Sequence, residues 1–131
     1  GSLLASKMLF GGHKIHLVCL PAEADLINAE GFRVRMPIRG RKDPVVLDSR
    51  QLPGKVTAGG AAGVNPSDYD LVGLCMQEPQ YRVPGVRDLL DTVAKSRVPC
   101  MSIMKMPPLA YISAVRKRIS PQMCTVSCTV K

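Results

Sequence analysis

The side chains of this sequence best suited to bind a metal ion or act as a nucleophile are two histidines and five cysteines. No two cysteines form a Cys-x-x-Cys pair, and their odd number argues against a disulfide framework. His16 has no carboxylate or cysteine at ligand spacing, and His13 stands in a Gly-Gly-His turn that it is expected to cap or orient. We therefore expect no metal site. The cysteines are Cys19, Cys75, Cys100, Cys124 and Cys128.

The cysteines also bear on the compartment. Three of them fall in or beside apolar runs, where a reduced cysteine packs as a small hydrophobe. Reduced thiols are typical of reducing compartments, so we expect a cytoplasmic protein. The apolar runs are much shorter than the roughly 20 residues of a membrane span, and we expect neither a leader nor a membrane partner.

Basic residues dominate the charge, with a formal net charge of +8 and a pI near 9.6. Such a charge attracts polyanions, including nucleic acid and phosphorylated cofactors. The basic residues are interpreted as ordinary solvated faces rather than as a binding groove, because no aromatic residues interleave with them to stack on bases. Nucleic acid is therefore the least expected partner. The two basic groups are Arg33, Arg35, Arg39, Arg41 and Lys42, and Arg116, Lys117 and Arg118.

The elements that must position these residues follow from hydrophobic periodicity. Apolar side chains recur at helical spacing in residues 2–10 and 22–30, and the run between them, 14–20, is rich in β-forming residues. This pattern predicts helix, strand and helix, with Leu26 and Ile27 of the second helix facing the core.

The middle of the sequence reads as short strands. Residues 32–36 alternate apolar and basic side chains as a half-exposed strand would, and residues 44–47 are a second strand candidate beyond a turn that contains Gly40. The two predict an antiparallel excursion at a sheet edge. Residues 54–67 are rich in Gly, Ala and Pro and predict a loop with one brief strand near Val56.

The remaining segments alternate between strand and helix. Residues 70–76 are nearly all apolar and predict a fully buried strand of a parallel sheet, as do residues 100–104. Residues 86–95 place apolar side chains on one helical face. Residues 109–119 predict a further helix and residues 124–130 a further strand.

This alternation predicts an α/β fold, a Rossmann-like doubly wound and mainly parallel sheet with a small antiparallel excursion. The length of 131 residues and the 46% of hydrophobic residues suit a single domain, residues 1–131. One element of the pattern is missing, because a Rossmann unit starts with a strand and a Gly-rich turn whereas this sequence starts on a helix.

The opening GSLLASKMLFGGHKIHLV and the later INAEGFRV resemble the start of the ketopantoate reductase family. In that family a GxGxxG turn leads into a helix, a Gly-His turn and the second strand. The resemblance implies a truncated NAD(P)-binding domain that lacks the first strand and the first part of GxGxxG, with the family's C-terminal helical substrate domain also absent. An alternative interpretation of Gly1-Ser2 is a cloning remnant.

The resemblance implies a cofactor site. Gly1 stands at the third glycine of the fingerprint, so Gly1 and Ser2 would meet the cofactor pyrophosphate at the start of the helix. Leu20 stands where the family commonly has an Arg for the phosphate of NADP, which leaves NADP or NAD open, with NADP slightly favoured by the family. Glu23 could meet a ribose of the cofactor or simply interact with the helix dipole.

Two further strand ends complete the implied site. Met76 and Gln77 follow the strand at 70–76, where relatives tend to have a Lys near the cofactor. Lys105 replaces the family's Asn after the strand at 100–104, where it could contact a carboxylate substrate or remain solvated. The sequence assigns no catalytic residue.

We expect the chain to be the NAD(P)-binding domain of an oxidoreductase that transfers hydride to a small 2-keto acid. The alternative is a non-catalytic Rossmann-like binding or regulatory module, which the changes at Leu20, Gln77 and Lys105 permit. The expected partners are a dinucleotide cofactor and a small carboxylate substrate, and a homodimer is compatible with the sequence. The isolated chain is expected to be inactive.

Overall fold

The computed structural model describes residues 1–103 of the chain. The predicted helix at 109–119, the predicted strand at 124–130 and Lys105 lie outside these residues. The described elements are α1 Ser2–Phe10, β1 Lys14–Val18, α2 Pro21–Glu30, β2 Arg33–Met36, β3 Val45–Asp48, β4 Lys55–Gly59, β5 Val72–Leu74, α3 Pro84–Ser96 and β6 Cys100–Ser102. Short 3₁₀ helices lie at Ser49–Gln51, Pro66–Asp68 and Glu78–Arg82.

The strands form three separate pairs. β1 pairs with β4 and β5 pairs with β6, both in parallel, while β2 and β3 form an antiparallel hairpin. The α/β class, the mainly parallel pairing and the antiparallel excursion are thereby confirmed. Instead of one continuous sheet, however, the described residues form three two-stranded sheets.

Helix α1 connects the two parallel pairs. Its carboxyl end lies at the start of β4, where the Gly54 N–H donates to the Leu9 carbonyl oxygen at 2.9 Å. Its amino end lies beside β5, because a Cβ built on Gly73 would contact the Leu4 side chain at 3.6 Å and one built on Gly1 would contact Cys75 at 3.5 Å. Helix α1 and strand β5 are therefore antiparallel. Because α1 is antiparallel to both β1 and β5, those two strands point in the same direction.

Small side chains allow α1 to pack this closely. Ala5 and Ser6 are buried with Leu9, and the Ser6 hydroxyl donates to the Leu3 carbonyl oxygen within the helix. A tight turn at Gly12, whose φ of 84° is in the left-handed region, then leads directly into β1.

The outer edge of β4 is covered by a side chain of α2. The Asn28 amide donates to the Ala58 carbonyl oxygen at 2.9 Å and accepts from the Ala58 N–H at 2.8 Å. One amide thus satisfies both groups that a neighbouring strand would otherwise pair, and it protects this edge from association with another strand.

Three burial predictions were wrong, those for Leu26 and Ile27, for the run 70–76 and for the run 100–104, in which β6 has no buried residue and Ile103 is 47% exposed. Leu26 is 55% exposed and Ile27 only half-buried, because the face of α2 that meets β4 centres on Ala24 and Asn28, one helical turn apart. The run 70–76 forms only a three-residue strand that is not fully buried, and Leu71 beside it is 41% exposed. Among the described residues β5 has a strand partner on one edge only, and this short strand is therefore left partly exposed to solvent.

The other predicted elements agree with the structure to within a few residues. In α3 the predicted apolar face is correct, with Val93 buried and Leu89 and Leu90 half-buried. Within residues 1–103, no helix is long and apolar enough to cross a membrane.

The contact between α1 and β4 predicts that alanine substitutions at Gly54 and Gly85 have opposite effects on stability. A Cβ at Gly54 would lie 2.8 Å from the Leu9 Cα and closer still to the His13 carbonyl oxygen, which are backbone atoms that cannot move aside. We expect Gly54→Ala to lower the free energy of unfolding by about 1–3 kcal/mol or more. The measurement is urea unfolding followed by circular dichroism.

Gly85→Ala is the matched control, since Gly85 lies in α3 with open space around it. There the substitution should raise stability by about 0.5–1 kcal/mol through helix propensity. Equal effects of the two substitutions would contradict the close approach of α1 to β4.

Candidate functional site

The candidate site lies at the carboxyl ends of the parallel strands, which we call the carboxyl edge and define by Gly1, Ser2, Leu20, Met76 and Gln77. Ligands of open parallel sheets bind at this end of the strands. The start of α1 reaches this end because Gly1 packs against Cys75, the residue directly after β5. The structure thus brings the predicted phosphate-binding residues beside the predicted Met76 and Gln77.

The start of α1 has backbone N–H groups that no side chain of the helix caps, and they could bind an anion. Gly1 supplies no side-chain acceptor to the helix, and no acidic residue lies in its first turn. The first backbone N–H groups of a helix have no partner within the helix and lie at the positive end of its dipole. A negatively charged group beside Ser2 would therefore be stabilised.

Gly1 corresponds to the third glycine of the fingerprint, which in dinucleotide-binding folds lets the helix pack closely on a strand, but the packing of α1 here does not require a glycine at this position. A Cβ there would meet Cys75 at an ordinary van der Waals distance, so the packing of α1 against β5 would tolerate an alanine. The glycine that the packing does require is Gly54, at the opposite end of α1.

Leu20 and Glu23 lie beyond the carboxyl end of β1, at the start of α2. The Leu20 N–H donates to the Glu23 carboxylate at 3.3 Å, so this acid caps its own helix. The Leu20 side chain is 69% exposed and offers an apolar surface with no charge. The carboxylate thus has a local structural role, one of the two alternatives that the sequence left open.

Gln77 has a comparable local role. Its backbone N–H donates to the Gln80 side-chain oxygen at 2.8 Å, which begins the 3₁₀ helix Glu78–Arg82. The Gln77 side chain is exposed and Met76 is half-buried, so Gln77 can still hydrogen-bond a ligand.

Each parallel pair has an edge that we call its inner edge, which is the edge of β1 away from β4 and the edge of β5 away from β6. In β1 the groups paired with β4 belong to alternate residues, such as the Cys19 N–H that donates to Gly59, and His16 therefore presents its backbone to the other side. In β5 the Val72 N–H donates to Pro99 of the β6 side, and Gly73 faces away. Within residues 1–103 neither of these two inner edges has a strand partner.

His16 belongs to the packing of β1 and β4. Its Nδ1 lies 2.8 Å from the Thr57 hydroxyl, its ring lies 6.0 Å from that of Tyr69, and it rests against Gly59. No group of three potential metal ligands occurs in the described part of the chain. The other histidine, His13, rests against Gly11 in the predicted turn.

The described cysteines Cys19, Cys75 and Cys100 are free thiols. Burial raises the pKa of Cys100, and burial followed by the nearby Glu23 carboxylate raises the pKa of Cys19. A raised pKa lowers the fraction of thiolate, which is the nucleophilic form.

Sequence reasoning missed Asn28 and Thr57. Asn28 is a poor residue for a helix interior, and that local misfit was the only signal of its role. Thr57 gave no signal, because its partner His16 is 41 residues away in the chain.

Comparisons with known proteins found no family model, no curated protein and no solved structure that matches this chain.

The open inner edges predict a contrast in hydrogen exchange. The N–H groups of His16 and Gly73 should exchange near the rate of an unstructured peptide, while those of Cys19 and Val72, which donate at 2.9 Å, should exchange more slowly. Amide exchange followed by NMR measures all four. Equal protection of the two groups would show that the inner edges are covered.

Proposed function

We propose that this chain is a dinucleotide-binding domain of the Rossmann type. The observation that supports the proposal most directly is the direction of α1. The helix begins at the carboxyl end of β5 and is antiparallel to the strands of both parallel pairs. In dinucleotide-binding folds a helix in this orientation offers its first N–H groups to the pyrophosphate.

The order of the strands supports the same proposal. The chain passes from β1 through α2 and the β2–β3 hairpin to β4, and later from β5 through α3 to β6, and α1 contacts one of these two parallel units at each of its ends. The place between two such units is where doubly wound folds bind their ligands. The carboxyl edge lies there.

The resemblance to ketopantoate reductases extends the proposal to a reaction, hydride transfer from a nicotinamide to a small 2-keto acid. Of the two cofactors we favour NADP, because the Glu23 carboxylate is engaged by the Leu20 N–H and is less suited to bind the ribose hydroxyls of NAD. The general acid and most substrate contacts belong, in that family, to a second helical domain.

A non-catalytic binding module is the second candidate. It is favoured by the uncharged side chains at Leu20 and Gln77, where charged groups would hold the cofactor in the family. A module of this kind would bind a nucleotide through the helix start alone, without chemistry.

The helix start predicts the effect of one substitution. Ser2→Asp places a carboxylate at the first position of α1, which suits the helix dipole but repels a bound phosphate. We expect NADPH to bind the chain more weakly than micromolar, shifting the amide signals of Ser2 and Gln77, and Ser2→Asp to weaken this binding about fivefold. An NMR titration reads both the affinity and the location.

Ala94→Asp adds the same charge at an exposed position of α3 and is the matched control. Its affinity for NADPH should equal that of the unaltered chain. Signal changes centred away from the carboxyl edge, or an equal loss in both variants, would overturn the proposed binding site.

The assignment of the catalytic acid to a second domain predicts that the chain by itself does not reduce keto acids. NADPH absorbance should decay in the presence of ketopantoate no faster with the purified chain than without it. Measurable keto acid-dependent oxidation would contradict this division of roles and would also exclude the non-catalytic module.

A further inference from the structure

The hairpin of β2 and β3 with its connecting turn, residues 33–48, gathers one of the two basic groups of the sequence onto a single ribbon. We call these residues the basic arm. The register pairs Arg33 with Asp48 and Arg35 with Val46, and strand alternation places these four on one face. Val34 and Met36 lie on the opposite face and are half-buried. The arm is therefore two-sided, with its basic strand positions on the exposed side.

The acidic residue of this face is already neutralised. Arg33 Nε lies 2.9 Å from one Asp48 oxygen and Arg50 Nε lies 3.9 Å from the other. The Arg50 backbone N–H, followed by the hydrogen bond from Arg33, holds the pKa of Asp48 below its usual range. Asp48 therefore remains an anion bound to its own arginines at neutral pH.

The remaining cations of the arm have no such partner. Arg35 on β2 and Arg39, Arg41 and Lys42 in the turn are exposed, and within residues 1–103 none of the four forms an ion pair. The turn is closed by the Arg41 N–H, which donates to Ile38 at 3.1 Å, with Gly40 at a φ of 86°. These four cations lie within eight residues and outnumber the neighbouring exposed Asp43, so the turn has a net positive charge that attracts polyanions.

The composition of the arm distinguishes among polyanions. Three of its four unpaired cations are arginines, whose planar guanidinium groups bind phosphate oxygens in pairs. The arm contains no aromatic residue, which disfavours single-stranded nucleic acid, where bases stack on aromatic rings. Ile38 and Val46 are its exposed large hydrophobics, too few to anchor a helix-free ribbon in a bilayer interface.

The shape of the arm distinguishes further. A two-stranded ribbon fits the major groove of B-form DNA, whereas the major groove of an RNA duplex is too deep and narrow for protein side chains. The lack of aromatic residues, which made nucleic acid the least expected partner on sequence grounds, does not disfavour contacts with phosphates. We propose that the basic arm binds the phosphate backbone of double-stranded DNA. This inference goes beyond the proposed dinucleotide site and does not rest on it.

The test is the salt dependence of binding to a short DNA duplex, measured by fluorescence anisotropy with the full chain between roughly 50 and 200 mM salt. Replacing the four unpaired cations by glutamine should weaken binding at the lowest salt at least ~100-fold and reduce the slope of log affinity against log salt by about 3–4. This arm variant is R35Q/R39Q/R41Q/K42Q.

A second variant removes the same charge elsewhere, at exposed lysines of α1, β1, β4 and α3. Its slope of log affinity against log salt should differ from that of the unaltered chain by no more than about 1, the contribution of one phosphate contact. A third variant, R35K/R39K/R41K, keeps the charge and should keep most of the slope. The control variant is K7Q/K14Q/K55Q/K95Q.

Several results would overturn the proposal. Equal losses in the arm and control variants would show that net charge alone attracts DNA. Equal affinity for an RNA duplex would contradict the fit to a B-form groove, and tighter binding to phosphatidylserine vesicles than to DNA would indicate a membrane surface instead. Because the substituted side chains are exposed, circular dichroism of each variant should match the unaltered chain.

Discussion

The packing of one short helix across two pairs of parallel strands is the contact on which the rest of the structure depends. At one end of α1 the Leu9 carbonyl oxygen accepts the Gly54 N–H, and at the other end Leu4 rests against Gly73. Only the contact at Gly54 requires backbone to approach backbone without an intervening Cβ, since a Cβ at Gly73 would meet Leu4 at an ordinary van der Waals distance of 3.6 Å. Gly54 provides that space, and the small Ala5 and Ser6 let the helix lie close.

The direction of the strands relative to the helix follows from this packing. Because α1 runs against β1 and β5 alike, both strands end on the side where the helix begins. Backbone N–H groups of the helix start and the ends of the strands then share one edge, and that geometry is the physical basis of the proposed nucleotide site. Of the two side chains with acidic or amide groups there, the Glu23 carboxylate caps its own helix, whereas the Gln77 amide is exposed. The backbone N–H groups of the helix start and the Gln77 amide are thus the donors that this edge offers to a ligand.

The outer and inner edges of the strand pairs differ in how their backbone groups are paired. Asn28 covers the outer edge of β4 by pairing with both backbone groups of Ala58, whereas the inner edges at His16 and Gly73 have no strand partner within the described residues. Charge is distributed just as unevenly. The proposed nucleotide site at the carboxyl edge attracts an anion through the helix dipole, whereas the basic arm attracts one through its arginine side chains. The two proposed anion sites therefore lie on different elements and depend on different electrostatic interactions.

Local patterns in the sequence were sufficient to predict the helices, the strands and the antiparallel hairpin. Helical and strand periodicities are properties of neighbouring residues, and α1 and α2 end at Gly11 and Gly31 as the sequence predicts. Burial was predicted less well. Leu26 was expected inside and lies outside, because the partner of α2 is the edge of β4, and a polar side chain suits that edge better than an apolar one.

The sequence by itself determined the order and type of the elements between residues 1 and 103 and the basic character of the arm, since these depend on residues close together in the chain. Only the tertiary structure decided that Gly54 is the glycine the fold requires, that Asn28 and Thr57 pair with distant partners, and that the strands form separate pairs. The reason is physical: contacts between residues far apart in the chain depend on how whole elements pack, and no local period records that packing.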